Sequence, residues 1–425
     1  MASTAQRPAS GGPPGDASDD LKAIEPLFSR VTPPLPPVQF TGSTGVSYNM
    51  AGGQPDPTSL PRQVLTEIVA RLLASDEGQG ALMYGDASGY LGLREAIADK
   101  LRRWEHLEVA PDELLIVNGS NHGLALTVQA FVNPGEVAVV EAPTFMGGLR
   151  PMRQLGVRVE MVPLDEQGIQ TEALAAKLQA LQGAGTPAKL LYTIPNFHNP
   201  AGVDLSLERR KRVVELAERH NCLILEDDAY GELRFSGDPL PPLYGLAPRG
   251  RVVRSATLSK ILAAGLRVGY LTAPREVIGR LNSLKLDGGA SPFVGRIAAT
   301  WLRQEHDAHV PRLVQVYHRK RDALVDALEQ SFPAGDPLRP TWNLPAGGFF
   351  LWLKLPPGVD PRKVADEAGQ RGVAYVSGST FFADGSGSEY VRLAWSMLSE
   401  ENLQAAAGLL AESIRAAAAS PAAPA

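Results

Sequence analysis

The stretch Val252-Val253-Arg254-Ser255-Ala256-Thr257-Leu258-Ser259-Lys260 is followed, after a short interval, by Arg267-Val268-Gly269-Tyr270. An apolar strand leads here into two hydroxyl side chains, then into a lysine and an arginine. A lysine amine condenses with carbonyl compounds, and a cationic, partly desolvated site lowers its pKa toward neutrality. Hydroxyl groups and a guanidinium are donors that bind phosphate. The stretch therefore suits an amine that faces a phosphorylated aldehyde.

A second motif, Asn118-Gly119-Ser120-Asn121-His122-Gly123, follows the apolar run 114–117 and opens a helical pattern over 124–131. Backbone N–H groups at a helix N-terminus are unpaired and lie at the positive end of the helix dipole, so they bind anions. An ordinary strand-to-helix turn with Ser120 as N-cap would explain the same residues. The motif is therefore a candidate phosphate site that needs support from elsewhere in the chain.

Three further candidates follow other apolar runs. They are Phe145 after 137–140, Asn199 in a Pro- and Asn-rich loop after the run that contains Tyr192, and Asp227 after 222–225. Strands alternate with helices from 114 to about 275, which predicts a mostly parallel sheet covered by helices on both faces. Ligands bind beyond the carboxyl ends of such strands, so these side chains are expected to lie together.

As a set, these motifs resemble the class I/II aminotransferases of fold type I, which use pyridoxal 5'-phosphate (PLP). The resemblance is closest to the branch that includes kynurenine and 2-aminoadipate aminotransferases and the effector domains of related bacterial regulators. It covers roughly residues 45 to 415. It implies an α/β fold, in which a large domain has a mostly parallel seven-stranded sheet covered by helices and a smaller C-terminal domain is α+β.

The resemblance also implies roles for single residues. The residue at Lys260 forms the Schiff base with PLP and later moves the proton between Cα and the cofactor, while Asp227 pairs with the pyridine nitrogen. Tyr230 and Asn199 bind the phenolic oxygen, and Phe145 stacks on the ring. The positions implied to bind phosphate are Ser120, Asn121, Thr257, Ser259, Arg267 and, from the neighbouring subunit of a homodimer, Tyr84.

Substrate recognition is implied for a second group of positions, which are Arg392, Asn199, Gly53 and Gln54. An arginine suits an α-carboxylate because its planar, bidentate hydrogen bonds fix the orientation of the substrate. A carboxylate such as Asp227 suits the pyridine nitrogen because it keeps the ring protonated and electron-withdrawing.

Three positions depart from the relatives. The phosphate turn commonly reads Ser-Gln-Gln where this chain has Ser120-Asn121-His122, and the stacking position is usually tyrosine where this chain has Phe145. Gln54 replaces an apolar residue and is a candidate selector of the substrate side chain. These departures leave the substrate preference open.

The chain is expected to have a disordered tail and N-terminal arm at 1–40, a large PLP-binding domain at 41–300, a small domain at 301–415 and a tail at 416–425. The N-terminal segment of the large domain is expected to contribute to the small domain. Within the arm, Arg30 could meet an acidic side chain or face water, and water is the simpler expectation.

Composition is that of an ordinary globular enzyme. The 41 basic and 46 acidic residues leave a charge of -5, which predicts no nucleic-acid or anionic-membrane partner. No apolar run reaches the ~18 residues that span a bilayer. The single cysteine fits a reducing cytoplasm. His306 and His309 are expected on a surface helix without a metal, and Arg209-Arg210-Lys211-Arg212 on the solvated face of another helix.

The prediction is a cytoplasmic, homodimeric PLP-dependent aminotransferase that acts by a ping-pong cycle. Glutamate and 2-oxoglutarate are expected to be one amino acid and 2-oxo acid pair. The amino acid of the other pair is expected to be aromatic, bulky or 2-aminoadipate-like. Decarboxylation, elimination or oxidation stays open, because the fold does not set which bond at Cα breaks. A non-catalytic effector-sensing module is a further alternative, although the first 40 residues are too short and too rich in Pro and Gly for a DNA-binding domain.

Overall fold

The computed structural model describes residues 46–419. The predicted arm with Arg30 and the last six residues lie outside this range. The final helix continues to Ala419, past residue 416, from which the sequence predicted a tail. Within the described range, the helices follow one another in this order: α1 (Arg62–Ala74), α2 (Glu77–Ala81), α3 (Leu91–Glu105), α4 (Ser120–Phe131), α5 (Met146–Gln154), α6 (Thr171–Gly183), α7 (Leu207–Arg219), α8 (Leu243–Leu246), α9 (Arg275–Ser283), α10 (Pro292–Gln304), α11 (His306–Ser331), α12 (Pro361–Gln370) and α13 (Glu400–Ala419).

A large mixed sheet is the centre of the fold. The two-residue strand β1 (Tyr48–Asn49) lies outside this sheet. The strands of the sheet are β2 (Leu114–Asn118), β3 (Val137–Ala142), β4 (Arg158–Asp165), β5 (Gly168–Ile169), β6 (Ala188–Thr193), β7 (Leu223–Asp228), β8 (Val252–Thr257) and β9 (Val268–Thr272). Their spatial order is β2-β9-β8-β7-β6-β3-β4-β5. Strands β4, β3, β6, β7 and β8 run parallel, whereas β9 is antiparallel to both neighbours. Seven strands were predicted, and the described residues form eight. The additional strand is the short β5, which pairs with β4 through two residues at one edge of the sheet.

The remaining strands form smaller sheets. They are β10 (Thr341–Trp342), β11 (Phe350–Lys354), β12 (Val373–Ala374), β13 (Val376–Ser377) and β14 (Tyr390–Ala394). An antiparallel sheet has the order β10-β11-β14-β13, and β1 pairs in parallel with β12. Strand β1 therefore brings the chain just before Gly53 next to the C-terminal part of the fold.

The central strands are apolar on both faces because helices cover both. Along β3, Val137 and Val139 pack into one apolar cluster, while Ala138 and Val140 pack into another on the opposite face. This alternation follows from the two-residue repeat of a strand. Buried strands of this kind read as continuous apolar runs, which is why the sequence identified them.

Three polar segments lie deeper in the fold than the sequence indicated. Strand β7 continues through Asp227 to Asp228, so this acidic segment is buried strand and not the start of a loop. Arg210 is fully buried, contrary to the predicted solvated face, because its guanidinium donates to the carbonyls of residues 195, 205 and 241 and to Asn196 Oδ1. His306 and His309 are also buried, and His306 contacts Glu232 at 2.6 Å. Asp227, Arg210 and His306 have hydrogen-bond partners that the hydropathy of the sequence does not reveal. His309 lies in the first turn of α11, which packs inward.

No helix among residues 46–419 combines the length and the apolar character needed to cross a bilayer.

Candidate active site

Lys260 lies just beyond β8, and its amine is enclosed by other parts of the chain. The Nζ atom donates a hydrogen bond to the Gly53 carbonyl at 2.7 Å. It also lies 5.5 Å from the ring centre of Tyr230 and 5.8 Å from that of Phe349. Burial, together with the positive charges of Arg392 and Arg267, lowers the pKa of Lys260 to about 8. A useful fraction of the amine is therefore neutral, and so nucleophilic, near physiological pH.

Asp227, near the carboxyl end of β7, is 3% exposed. Its Oδ2 accepts a hydrogen bond from the Tyr192 hydroxyl at 2.8 Å, whereas its Oδ1 has no hydrogen-bond partner within the described part of the chain. Burial is the main reason that the pKa of Asp227 is raised to about 7. A buried carboxylate oxygen without a partner is costly, so the site is suited to a ligand that brings a cationic or N–H donor.

Arg392, on β14, is held at the other side of the site. Its guanidinium donates to Asn199 Oδ1 at 2.9 Å and to the Ala51 carbonyl at 2.6 Å. It lies 4.2 Å from the ring centre of Phe350 and 5.0 Å from that of Phe381. Its Nε has no partner among residues 46–419, and burial lowers the pKa of Arg392 to about 10. The structure thus joins Arg392 and Asn199, which the sequence placed on distant motifs.

Tyr230 packs against two aromatic residues at the start of β11. Its ring meets Phe349 and Phe350 edge-on, with centroid distances of 5.2 and 5.5 Å. Burial raises the pKa of its hydroxyl, which therefore stays protonated and able to donate. Gly53 fits closely against the same rings, because a Cβ there would lie 2.8 Å from Phe350 Cζ.

Two of the predicted phosphate ligands, Ser120 and Arg267, lie at the N-terminus of α4. Gly119 precedes this helix with φ of 80°, and a Cβ at Gly119 would lie 2.1 Å from Arg267 Nη2. The Arg267 side chain is exposed and also contacts the Asn118 carbonyl at 3.3 Å. This corner brings a guanidinium against an open helix N-terminus, an arrangement that binds anions.

Thr257 and Ser259 lie next to one another, with their hydroxyl oxygens 2.9 Å apart. The Thr257 hydroxyl is also within 2.9 Å of the Val268 carbonyl and accepts from the backbone N–H of Ser259 at 3.1 Å. Thr257 therefore shapes the turn before Lys260, which leaves the Ser259 hydroxyl as the freer donor of the two.

Phe145 and Asn121 both approach Gly147. A Cβ at Gly147 would lie 2.3 Å from the Phe145 ring and 3.0 Å from Asn121 Oδ1. His122, the imidazole that departs from the family pattern, lies beside the strand end, where its Nδ1 accepts from the Asn118 N–H at 3.3 Å. Burial lowers the pKa of His122, which favours the neutral ring.

The structure of one chain does not define the predicted roles of Tyr84 and Gln54. Tyr84 is 98% exposed and is not part of the cluster around Lys260. Gln54 follows Gly53 directly, and its proposed selection of substrate stays a prediction. The other candidates form contacting groups: Lys260 with Gly53 and Tyr230, Arg392 with Asn199, Thr257 with Ser259, Asp227 with Tyr192, Arg267 with Gly119 next to Ser120, and Phe145 and Asn121 around Gly147.

This donor set fits PLP. The cofactor needs an amine for its aldehyde, an acidic partner for its pyridine nitrogen and an anion site for its phosphate. Lys260, the unpartnered Asp227 Oδ1 and the corner at Gly119 and Arg267 supply one of each.

The sequence profile described as "Aminotransferase class I and II" matches residues 48–410. The chain belongs to this family. It is 36% identical to aromatic-amino-acid aminotransferase 1 of Thermococcus litoralis, over 86% of this chain and 88% of the relative. It is 32% identical to the 2-aminoadipate transaminase of Thermus thermophilus, over 86% of this chain and 89% of the relative.

Among solved structures, the aminotransferase resembles a Pyrococcus horikoshii kynurenine aminotransferase in complex with PMP and KYN. The TM-score is 0.87 at 32% identity, covering 93% of this chain and 99% of that one. The protein is thus a PLP-dependent aminotransferase of fold type I. These findings favour transamination over decarboxylation, elimination or oxidation, and over a non-catalytic sensing module.

Several residues of the site were not singled out from the sequence. Phe350 and Phe381 lie near Arg392, and Tyr192 binds Asp227. Phe350 and Tyr192 look like ordinary core in apolar runs, and Phe381 lies in a Gly- and Ser-rich stretch. Glu141 is buried and accepts hydrogen bonds from Thr193, Ile194 and His198. A carboxylate at the end of an apolar strand is the one available signal for that contact.

Proposed function

We propose that this aminotransferase moves the α-amino group between an aromatic, bulky or 2-aminoadipate-like L-amino acid and a 2-oxo acid, with glutamate and 2-oxoglutarate as one pair. The names of the relatives from Thermococcus litoralis and Thermus thermophilus support these classes. The rings of Phe350 and Phe381 near Arg392 also support a substrate with an apolar or aromatic side chain.

The buried amine of Lys260, with its pKa lowered to about 8, is the observation that carries the proposal. When bound, PLP supplies an aldehyde for amines and a ring that withdraws electrons from Cα. Lys260 would hold the cofactor, and, once displaced by the substrate amine, it would accept the Cα proton and return it. Its lowered pKa suits both directions of this transfer, because an acid–base group works best near the operating pH.

Arg392 would bind the α-carboxylate of the substrate through its guanidinium, and Asn199, which accepts from the same group at 2.9 Å, would fix its orientation. An oriented carboxylate fixes which Cα bond faces the cofactor, and orientation of this kind supplies a large share of catalysis. Asp227 would bind the pyridine nitrogen, while Tyr230 and Asn199 would donate to the phenolic oxygen and Phe145 would stack on the ring.

The phosphate would be bound by Ser120, Asn121, Thr257, Ser259 and Arg267, at the N-terminus of α4. We also propose a homodimer in which Tyr84 reaches the phosphate of the partner subunit. Its 98% exposure, together with that of the adjacent Leu82 and Met83, supports a protein interface there. A large domain at 41–300, a small domain at 301–415 and a cytoplasmic location complete the proposal.

Absorbance spectroscopy with single amino acids tests the reaction. The purified enzyme is expected to absorb near ~420 nm, and a good donor added without any 2-oxo acid converts this band to one near ~330 nm. The donors that convert it fastest identify the substrate class. A band that no amino acid converts would contradict transamination.

Lys260→Ala tests the central residue. We expect turnover to fall by about a thousandfold or more, because the group that moves the proton is lost. PLP is expected to remain bound without a covalent link, through the other ligands. Lys211→Ala is the matched control, since Lys211 is an exposed lysine on α7. Normal turnover in Lys260→Ala would refute the role of Lys260.

A further inference from the structure

Tyr192 and Asp227 form a buried pair on neighbouring strands. Tyr192 is fully buried on β6, Asp227 is 3% exposed on β7, and the Tyr192 hydroxyl donates to Asp227 Oδ2 at 2.8 Å. An ionised carboxylate only accepts hydrogen bonds, so the phenol is the donor. The contact leaves Oδ1 as the oxygen without a partner among the described residues.

The neighbouring helix is built to admit this ring. Gly148 on α5 faces it so closely that a Cβ at position 148 would lie 2.4 Å from Tyr192 Cε1 and Cζ, and 2.8 Å from its hydroxyl. Any larger residue would displace the phenol. The ring is therefore confined between the sheet and α5, and its hydroxyl is directed at one carboxylate oxygen.

The groups around Asp227 have opposite effects on its pKa. Burial is the largest influence and raises its pKa, and the negative charges of Asp228 and of Glu141 on β3 act in the same direction. Lys260 lowers the pKa of Asp227 by its positive charge, and Tyr192 lowers it by its hydrogen bond. Opposite Asp227 on β8 stands the neutral Ser255. The ionisation of Asp227 is thus balanced near neutrality, and the phenol is one of two groups that favour the charged form.

We propose that Tyr192 is a positioning residue for Asp227. The Tyr192 hydroxyl binds Oδ2 of this carboxylate, directs Oδ1 to the pyridine nitrogen of the cofactor and keeps the carboxylate ionised. This inference rests on the role proposed above for Asp227. Among residues 46–419, the Tyr192 hydroxyl hydrogen-bonds to Asp227 and not to Arg392 or Lys260, so its effect would pass through Asp227.

Nitrogen-15 NMR of the holoenzyme, reconstituted with PLP labelled at the ring nitrogen, tests the proposal. In Tyr192→Phe the ring nitrogen is expected to be less protonated, because the proton is shared more with Asp227. The acidic limb of the kcat profile should move to higher pH, and kcat should fall by about tenfold with little change in KM. Tyr270→Phe is the control, since Tyr270 is equally buried on β9 and its hydroxyl contacts Lys100.

A second replacement guards against a folding defect in Tyr192→Phe. With 3-fluorotyrosine in place of Tyr192, the ring and hydroxyl stay but the donor is stronger, so the ring nitrogen should gain protonation and the acidic limb should move to lower pH. An unchanged resonance in both replacements, while Asp227→Asn removes the protonation, would overturn the role of Tyr192 and leave that of Asp227. A ring that stays protonated in Asp227→Asn would overturn both.

Discussion

The amine of Lys260 is enclosed by aromatic rings and lies near two guanidinium groups, so its charged form is disfavoured. Burial lowers its pKa first, followed by the charges of Arg392 and Arg267, to about 8. Below this pH the amine is protonated and unreactive, and above it the amine is neutral. Competitive acylation of the cofactor-free protein should therefore label Lys260 half-maximally near pH 8, whereas exposed lysines require a pH near ~10.4.

Arg392→Gln supplies the matched comparison for this titration. It removes a positive charge that lowers the pKa of Lys260, so the labelling midpoint should move to higher pH. A midpoint that stays in place would mean that burial alone sets the pKa. A midpoint near that of exposed lysines in the unmodified protein would contradict the enclosed position of Lys260.

At the scale of single elements, the phosphate corner depends on how β2 joins α4. Gly119→Ala places a Cβ against Arg267 Nη2 and puts alanine at a φ of 80°. We expect PLP affinity to fall by about tenfold or more as the guanidinium is displaced. Gly135→Ala is the control, because its φ is 83° and a Cβ there meets nothing within 4 Å. Equal affinities in the two variants, measured by titration with PLP, would contradict phosphate binding at Gly119 and Arg267.

The loop that carries Asn199 is fastened to the sheet by Glu141 at the end of β3. Glu141 accepts from His198 Nε2 at 3.0 Å and from the Ile194 N–H at 2.9 Å, and His198 Nδ1 accepts from the Ala201 N–H. Glu141→Ala should lower the free energy of unfolding by about 3 kcal/mol, because buried donors lose their acceptor. Glu141→Gln keeps an acceptor and should cost less in the same urea titration. Equal stability of both variants would contradict this fastening.

The sequence predicted the strand ends well and the contacts between them poorly. Asn199 and Asp227 could be placed near the carboxyl ends of apolar strands, because buried parallel strands leave a clear apolar signal, although β7 itself continues through Asp227. Partners separated by many residues leave no such signal, as with Arg392 and Asn199 or Tyr192 and Asp227. Arg210 illustrates the same limit, since its burial depends on four acceptors that only the folded chain brings together.

At the scale of the whole molecule, Tyr84 is exposed next to Leu82 and Met83, which are exposed as well. Large apolar side chains gathered on one surface indicate a protein contact. The described chain already supplies an amine, a carboxylate and a substrate clamp around Lys260. If Tyr84 completes the phosphate site of the partner, each site of a dimer needs Lys260 from one subunit and Tyr84 from the other.

Mixing two impaired variants tests this sharing. Lys260→Ala has no reactive amine, and Tyr84→Ala is expected to bind PLP weakly. In a mixed dimer, the subunit with Tyr84→Ala keeps Lys260 and receives an intact Tyr84 from its partner, so one of the two sites is restored. Random reassociation makes half of the dimers mixed, so about a quarter of the activity should return. Each variant reassociated with itself is the control. Activity that never exceeds the sum of the two controls would show that Tyr84 serves its own subunit or none.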